Sequence, residues 1–274
     1  MIEVFAAGAA ALTGIAAYAR WIEPRRLRKT VRRVPLPIAG PPVRLLHLSD
    51  LHLSPGTPLE FLGRSIDEGL RLAPHIACLT GDFISAGEPF DSQGYRAVLA
   101  RLAGSVPSFA VTGNHDGGRW AAARGGESSS QTVREILSAA GITVLHNRWT
   151  GFRTGAHRLI LAGLGDPWAM EMDGPAAFSG LPPGAPVVLL AHNPDMKAAI
   201  GDRPWVLMLS GHTHGGQTGI PGLRSLLAPV GDRGCVAGLK RWRGRWVHVT
   251  PGIGSFFQVR FLCPPEVSLL LLGE

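Results

Sequence analysis

Cysteine is scarce: Cys78, Cys235 and Cys263 are the only three in 274 residues, and no CxxC pair exists. A zinc ribbon and a redox dithiol are thereby excluded, leaving free thiols in a reducing compartment as the expectation. Charge is also sparse, at 17% of residues, and it is unevenly placed. Residues 20–33 carry Arg20, Arg25, Arg26, Arg28, Lys29, Arg32 and Arg33 against Glu23 alone, whereas residues 34–274 hold twenty basic and eighteen acidic side chains. The body therefore lacks the basic, aromatic-interleaved face that nucleic-acid binding requires, and no nucleic-acid partner is expected. No internal repeat is visible, which excludes a solenoid. With 36 Gly and 22 Pro, tight turns are expected in place of long helices.

Long hydrophobic runs are missing too. Val4–Ala19 is uncharged over sixteen residues, short of the ~20 that a spanning helix needs. No positive charge precedes it, so it does not read as a secretory signal, and its arginines follow the run where a twin-arginine signal would place them before. The basic residues behind it favour a cytoplasmic C-terminal side and attract anionic headgroups at about 1 kcal/mol each. Residues 1–42 accordingly read as a membrane-associating helix followed by a basic linker, stiffened by Pro24, Pro35, Pro37, Pro41 and Pro42. A helix packed on the domain is the alternative. The body, residues 43–274, is then expected at the cytoplasmic face of the membrane, with no obligate protein partner evident.

In the body, short apolar runs read as strands: Val43–Ser49, Ile76–Thr80, Ser108–Thr112 and Ile142–His146, then Leu159–Leu164, Val187–Ala191, Val206–Ser210, Trp246–Thr250 and Val267–Leu272. Helical patterns over Leu59–Leu72, Tyr95–Ala103 and Gln131–Ala140 fall between the early ones. The alternation predicts an α/β fold with helix crossovers, closing as two sheets face to face with helices outside.

Polar clusters follow five of these runs directly: Asp50-Leu51-His52, Gly81-Asp82, Gly113-Asn114-His115-Asp116, His192-Asn193 and Gly211-His212-Thr213-His214. Ligands collect beyond the carboxyl ends of strands in α/β sheets, so five ends can converge on one site. In extended chain, residues two apart face the same way, so Asp50 with His52, and His212 with His214, could each grip one ion. Oxygen and imidazole donors without thiolate suit Mn, Fe, Zn or Co, with Mn the first choice. Residues 117–130 read as a mobile loop or a plain solvated connection, and Arg119, Trp120, Arg124 and Trp168 as candidates to line a substrate entrance.

The order DxH, GD, GNHD, H, GHxH from Asp50 to His214 resembles the calcineurin-like metallophosphoesterase superfamily. The match is closer to a bacterial membrane-linked branch that includes UDP-2,3-diacylglucosamine pyrophosphatases. That branch is suggested by the apolar N-terminal segment, Gly165-Asp166-Pro167-Trp168, Gly211–Gln217 and Arg260–Glu266. The resemblance implies a four-layer sandwich of two mixed β-sheets flanked by helices. It places Asp50, His52, Asp82 and His214 around one divalent cation, with Asp82 bridging to a second held by Asn114, His192 and His212. Water activated between the two cations would attack phosphorus, His115 would protonate the leaving group, and Asp116 would orient His115. The substrate implied is a phosphodiester or phosphoric anhydride, lipid-linked as in UDP-2,3-diacylglucosamine, which would belong to lipid A biosynthesis. The alternatives are a soluble phosphate ester or phosphoprotein and, from another class, a metal-holding scaffold without turnover.

Overall fold

The computed structural model describes residues 2–38 and 40–273. Its strands build two six-stranded mixed sheets. In the first, β2 (Val43–Leu48), β3 (Ile76–Thr80), β4 (Ser108–Val111) and β5 (Thr143–Val144) run parallel, while β12 (Glu266–Leu272) lies antiparallel to β2 and parallel to the edge strand β1 (Arg28–Val34). In the second, β7 (His157–Gly163), β8 (Val187–Leu190), β9 (Leu207–Ser210) and β11 (Arg245–Val249) are parallel, with β6 (Arg148–Thr154) and β10 (Gly238–Trp242) antiparallel at the two edges.

Why the central strands read as unbroken apolar runs is clear from their two buried faces. Val188 and Leu190 of β8 point between the sheets with Leu45, Cys78, Val111 and Leu209, while Val187 and Leu189 point outward beneath Met196, Ile200 and Trp205. The outer face of the first sheet, including Leu46, Leu48 and Leu79, is covered by α2 (Leu59–Leu70), α3 (Ser92–Ser105) and α5 (Gln131–Ala139). Short helices α4 (Arg119–Ala122), α6 (Gly174–Phe178), α7 (Met196–Ala199) and α8 (Leu223–Leu227) complete the order. The expected four-layer sandwich of two mixed sheets flanked by helices is the observed one.

The stretch read as a linker needs correction, because residues 28–34 form β1. Only Val34 of this strand is buried, so backbone pairing with β12 and ion pairs hold it, and no hydrophobic pattern announces it. Arg28 pairs with Glu266 at 2.6 Å and Lys29 with Glu68 at 2.6 Å. A charged edge strand also resists pairing with other chains. The edge strands β6 and β10 escaped the sequence pattern for the same reason, each having few buried positions.

Ahead of β1 lies α1 (Ile2–Ala17), continued by a wider turn over Tyr18–Ile22 and a tight one over Glu23–Arg25. Among the described residues, no helix is long and apolar enough to cross a membrane. The end of this helical stretch is fastened to the C-terminal part of the chain. Arg260 N donates to Ala19 O at 2.9 Å, and the buried Glu23 carboxylate accepts from the backbone N–H groups of Leu262 and Cys263.

Residues 117–130 are fastened as well. Arg119 N donates to Ala169 O at 3.1 Å, and a Cβ on Gly118 (φ 87°) would stand 2.5 Å from that same oxygen. Ser130 is buried and its amide donates to Glu171 Oε1 at 2.9 Å. The three cysteines are buried free thiols.

Candidate metal centre

The five polar clusters lie just past the carboxyl ends of β2, β3, β4, β8 and β9, so both sheets feed one site. Backbone pairing continues beyond the strands: Asp50 N donates to Gly81 O and His52 N to Asp82 O, each at 2.9 Å, and Gly211 N donates to His192 O at 3.0 Å. Extended alternation does not aim the side chains. Asp50, His52, Asp82, His212 and His214 all have left-handed backbone, with φ of 51°, 45°, 53°, 68° and 48°. Each such turn costs about 1–3 kcal/mol, and strain of this kind gathers at functional sites. Asp and His are among the side chains that tolerate it best. At Gly211 a Cβ would lie 2.1 Å from Asp50 Oδ2, so glycine there lets the two loops meet.

The result is two overlapping donor groups. Asp50, His52, Asp82 and His214 form one, and Asp82, His192 and His212 the other, with the donor atoms of each group within 4.8 Å of one another. His212 and His214 therefore fall in different groups, which corrects the spacing argument. All of these side chains are buried.

The donor chemistry fits two cations. His192 Nδ1 lies 2.6 Å from Thr80 O, which can only accept, so that nitrogen carries the proton. The bare Nε2 then faces Asp82 Oδ2 at 3.1 Å and His212 Nδ1 at 3.2 Å. Acceptors this close need a proton or a cation between them. Asn114 Oδ1 and His212 Nε2 are buried without a hydrogen-bond partner among the described residues. Burial draws the His192 imidazole down, but the Asp82 and Asp50 carboxylates outweigh it and hold its pKa well above the ordinary value. Burial pushes Asp50 up to about 7, with help from the Asp82 charge. Burial and neighbouring imidazoles bring His52 and His212 down to about 3, the neutral form that binds metal.

His115 is held by its own loop. Its amide donates to Asp82 Oδ1 at 2.9 Å, and its ring Nδ1 accepts from Ala86 N at 3.2 Å. A backbone amide only donates, so the neutral ring carries its proton on Nε2, the tautomer that a proton donor needs. Burial keeps this imidazole below its ordinary pKa. The role expected of Asp116 is corrected. Its oxygens accept from Phe83 N at 2.7 Å, Ile84 N at 3.2 Å and Gly113 N at 2.8 Å, so it ties the GNHD turn to the loop after β3. The Ala86 amide is a partner of the His115 ring that sequence reasoning had no means of finding.

Three further residues were missed. Asp166 is fully buried, accepts from Trp168 N at 2.7 Å, and is pushed up to about 6 by burial and the Asp82 charge. Its motif was legible, although its task of seating Trp168 was not. Arg260 is fully buried and donates to Cys263 O at 3.0 Å and Pro251 O at 2.8 Å, tying down the loop against which Asp50 packs. His47 links Thr80 Oγ1 to His248 across the two sheets, at 2.8 Å on each side.

Of the candidates for substrate contact, two reach the site. Trp120 packs on His115 (ring centroids 4.3 Å apart), Trp168 packs edge-on against His212 (4.5 Å), and the two indoles stack on each other (6.3 Å). Arg124 lies over the Trp120 ring at 3.8 Å. Neither Arg124 nor Arg119 lines the cavity, which encloses about 580 Å³. Asp82, Asn114, His115, His212 and His214 form its polar end, and Leu223, Leu227, Phe257, Val259 and Phe261 its apolar end.

A four-layer α/β sandwich with a buried, metal-ready cluster of carboxylate, amide and imidazole groups at its strand ends defines a metal-dependent phosphoesterase. The chain belongs to the calcineurin-like phosphoesterase family, whose model matches residues 43–216. It is 38% identical to "Phosphodiesterase YaeI" of Escherichia coli (strain K12) over 231 residues, which cover 84% of this chain and 82% of that protein. It is 27% identical to "UDP-2,3-diacylglucosamine pyrophosphatase LpxG" of Chlamydia muridarum, covering 97% of this chain and 98% of the relative. The fold is also similar to a 5'-nucleotidase precursor from Thermus thermophilus (TM-score 0.53, 14% identity), covering 84% of this chain and 54% of the nucleotidase.

Proposed function

We propose that the chain hydrolyses a phosphodiester or phosphoric anhydride carried by an amphiphile, at the cytoplasmic face of a membrane. One observation carries this reading: the cavity that ends at the donor groups continues into an apolar arm lined by Leu223, Leu227 and Phe257. A soluble phosphate ester would use the donors and leave that arm wet. The likeness to a diacylglucosamine pyrophosphatase over nearly the whole of both chains supports an acylated substrate of the same kind, UDP-2,3-diacylglucosamine among them.

In this reading Asp50, His52, Asp82 and His214 hold one divalent cation, and Asp82, Asn114, His192 and His212 hold the other, with Mn the first choice. Bound cations of this type neutralise phosphoryl oxygens and acidify water. His115 presents Nε2–H to the leaving oxygen, while the Ala86 amide keeps the opposite nitrogen from taking the proton. Trp120 and Trp168 wall off bulk water beside both groups, which strengthens every charge interaction inside. The apolar α1 helix and the arginines behind it keep the body at the membrane.

The test is turnover by the Mn-loaded full chain on UDP-2,3-diacylglucosamine, a phospholipid and bis(p-nitrophenyl) phosphate. A kcat/KM that rises with acyl-chain length is expected. A flat response to chain length, with the aryl diester as good as the lipids, overturns the amphiphile reading and leaves a soluble phosphodiester in its place.

A further inference from the structure

Nine of the fourteen exposed large hydrophobic side chains among the described residues fall in three short segments: Trp21 and Ile22; Ile220 with three leucines of α8; and Phe257, Val259 and Leu262. These segments form one connected unit. Phe261 N donates to Gln217 O at 2.9 Å and Gly219 N to Phe261 O at 2.8 Å, joining the second to the third. Arg20 donates to Gln258 Oε1 at 2.7 Å and Leu262 N to Glu23 Oε2 at 2.8 Å, joining the first to the third. The cavity opens among them, since Leu223, Leu227 and Phe257 line its apolar arm.

Charge on this face has one sign. Residues 18–27, 217–227 and 256–263 contain a single carboxylate, Glu23, which is 2% exposed. The same segments present Arg20, Arg25, Arg26 and Arg224, each at least partly exposed, while their fifth arginine, Arg260, is buried. Among the described residues neither Arg25 nor Arg26 meets a carboxylate, and both are exposed. Exposed aromatic and aliphatic groups rimmed by arginine match an anionic bilayer surface.

We propose that this face docks on the membrane, so that the cavity mouth opens directly onto the lipid. The occupant is an anionic bilayer, and α1, which leads directly into the first of these segments, adds the exposed Leu12 and Ile15. A second copy fits less well, because a self-complementary contact would set the positive rim against itself. The docking builds on the amphiphile reading above, and its test separates the two. A docked mouth lets a lipid pass from bilayer to donor groups without its apolar part crossing water.

The experiment uses the Mn-loaded full chain with vesicles of phosphatidylcholine, alone or mixed with phosphatidylglycerol. Leu226 and Leu262 are 62% and 60% exposed and do not line the cavity. Leu226→Glu/Leu262→Glu should lower the fraction bound to anionic vesicles about fivefold or more, with turnover of bis(p-nitrophenyl) phosphate retained. If that variant loses soluble turnover, Leu226→Gln/Leu262→Gln is measured in its place and should show the same ordering. Vesicle binding equal to wild type overturns the proposal, since α1 alone would then hold the chain. A shift from dimer to monomer in sedimentation with vesicle binding unchanged overturns it too, assigning the face to a second copy. Vesicle binding that depends on these leucines, without cleavage of any lipid-linked phosphate, supports the docking and sinks the amphiphile reading.

Discussion

The two ends of the cavity are built on opposite terms. At the polar end every donor is buried and five residues sit in left-handed turns. The backbone there is pinned by carboxylates such as Asp116 and by the buried guanidinium of Arg260. At the apolar end Leu227 and Phe257 are 58% and 81% exposed on short elements of few turns. The contrast separates chemistry from selection. A cation pair tolerates little displacement, so its loops are over-determined, whereas an apolar chain needs only area and an opening.

The largest effect expected is at the residue common to both donor groups. Asp82→Asn should remove both cations and abolish turnover while the far-ultraviolet dichroism stays native. Two bound Mn per chain with wild-type turnover in this variant would break the two-ended description at its polar end.

Next in size is the comparison of His115 with Asp116. His115→Ala should keep the metals and cost roughly 10²–10⁴ in rate, the usual worth of a general acid, with a smaller loss for good leaving groups. Asp116→Asn should act through stability, at about 1–3 kcal/mol for the buried backbone donors it leaves poorly matched. Its thermal midpoint should fall while the dependence on leaving group stays that of wild type. If Asp116→Asn reproduced the leaving-group signature of His115→Ala, the corrected role of Asp116 would be wrong.

A smaller effect belongs to the apolar arm. Leu223→Asp should raise KM for an acylated substrate about tenfold and leave kcat on bis(p-nitrophenyl) phosphate near wild type. Equal losses on both substrates would show that the two ends of the cavity are not separable.

The smallest effect concerns pH. In the metal-free fold Asp50 is pushed up to about 7 by burial, and the carboxylates hold His192 well above its ordinary range. Both groups bind protons that a cation must displace, so Mn affinity should fall as pH drops through about 7. Taken alone, the raised Asp50 pKa makes the metal-free fold lose stability as pH rises from the ordinary carboxylate range towards 7, because ionisation then meets the burial penalty. Mn should therefore raise the thermal midpoint more at pH 8 than at pH 6. A gain independent of pH would count against proton competition at the donors.

The amino-acid sequence alone determined the donor types, their order and the strand ends that carry them, because both faces of each central strand are buried and each cluster is local. Alternating apolar runs and helices also determined the α/β class, while the four-layer arrangement of mixed sheets came from the resemblance that the motifs carry. The tertiary structure supplied the geometry behind the division that the resemblance implied: Asp50 and His52 bond through their backbone to the loop after β3, and His212 N donates to the Asp50 carboxylate, with all three in left-handed turns. It alone decided that the Ala86 amide partners the His115 ring, across 29 positions of chain, and that Asp116 serves the backbone. It turned a basic stretch into edge strand β1, because pairing with β12 replaces the side-chain burial that a sequence pattern can reveal. The apolar arm was likewise invisible, since residues 217–227 and 256–262 meet only when Gly219 and Gln217 bond to Phe261.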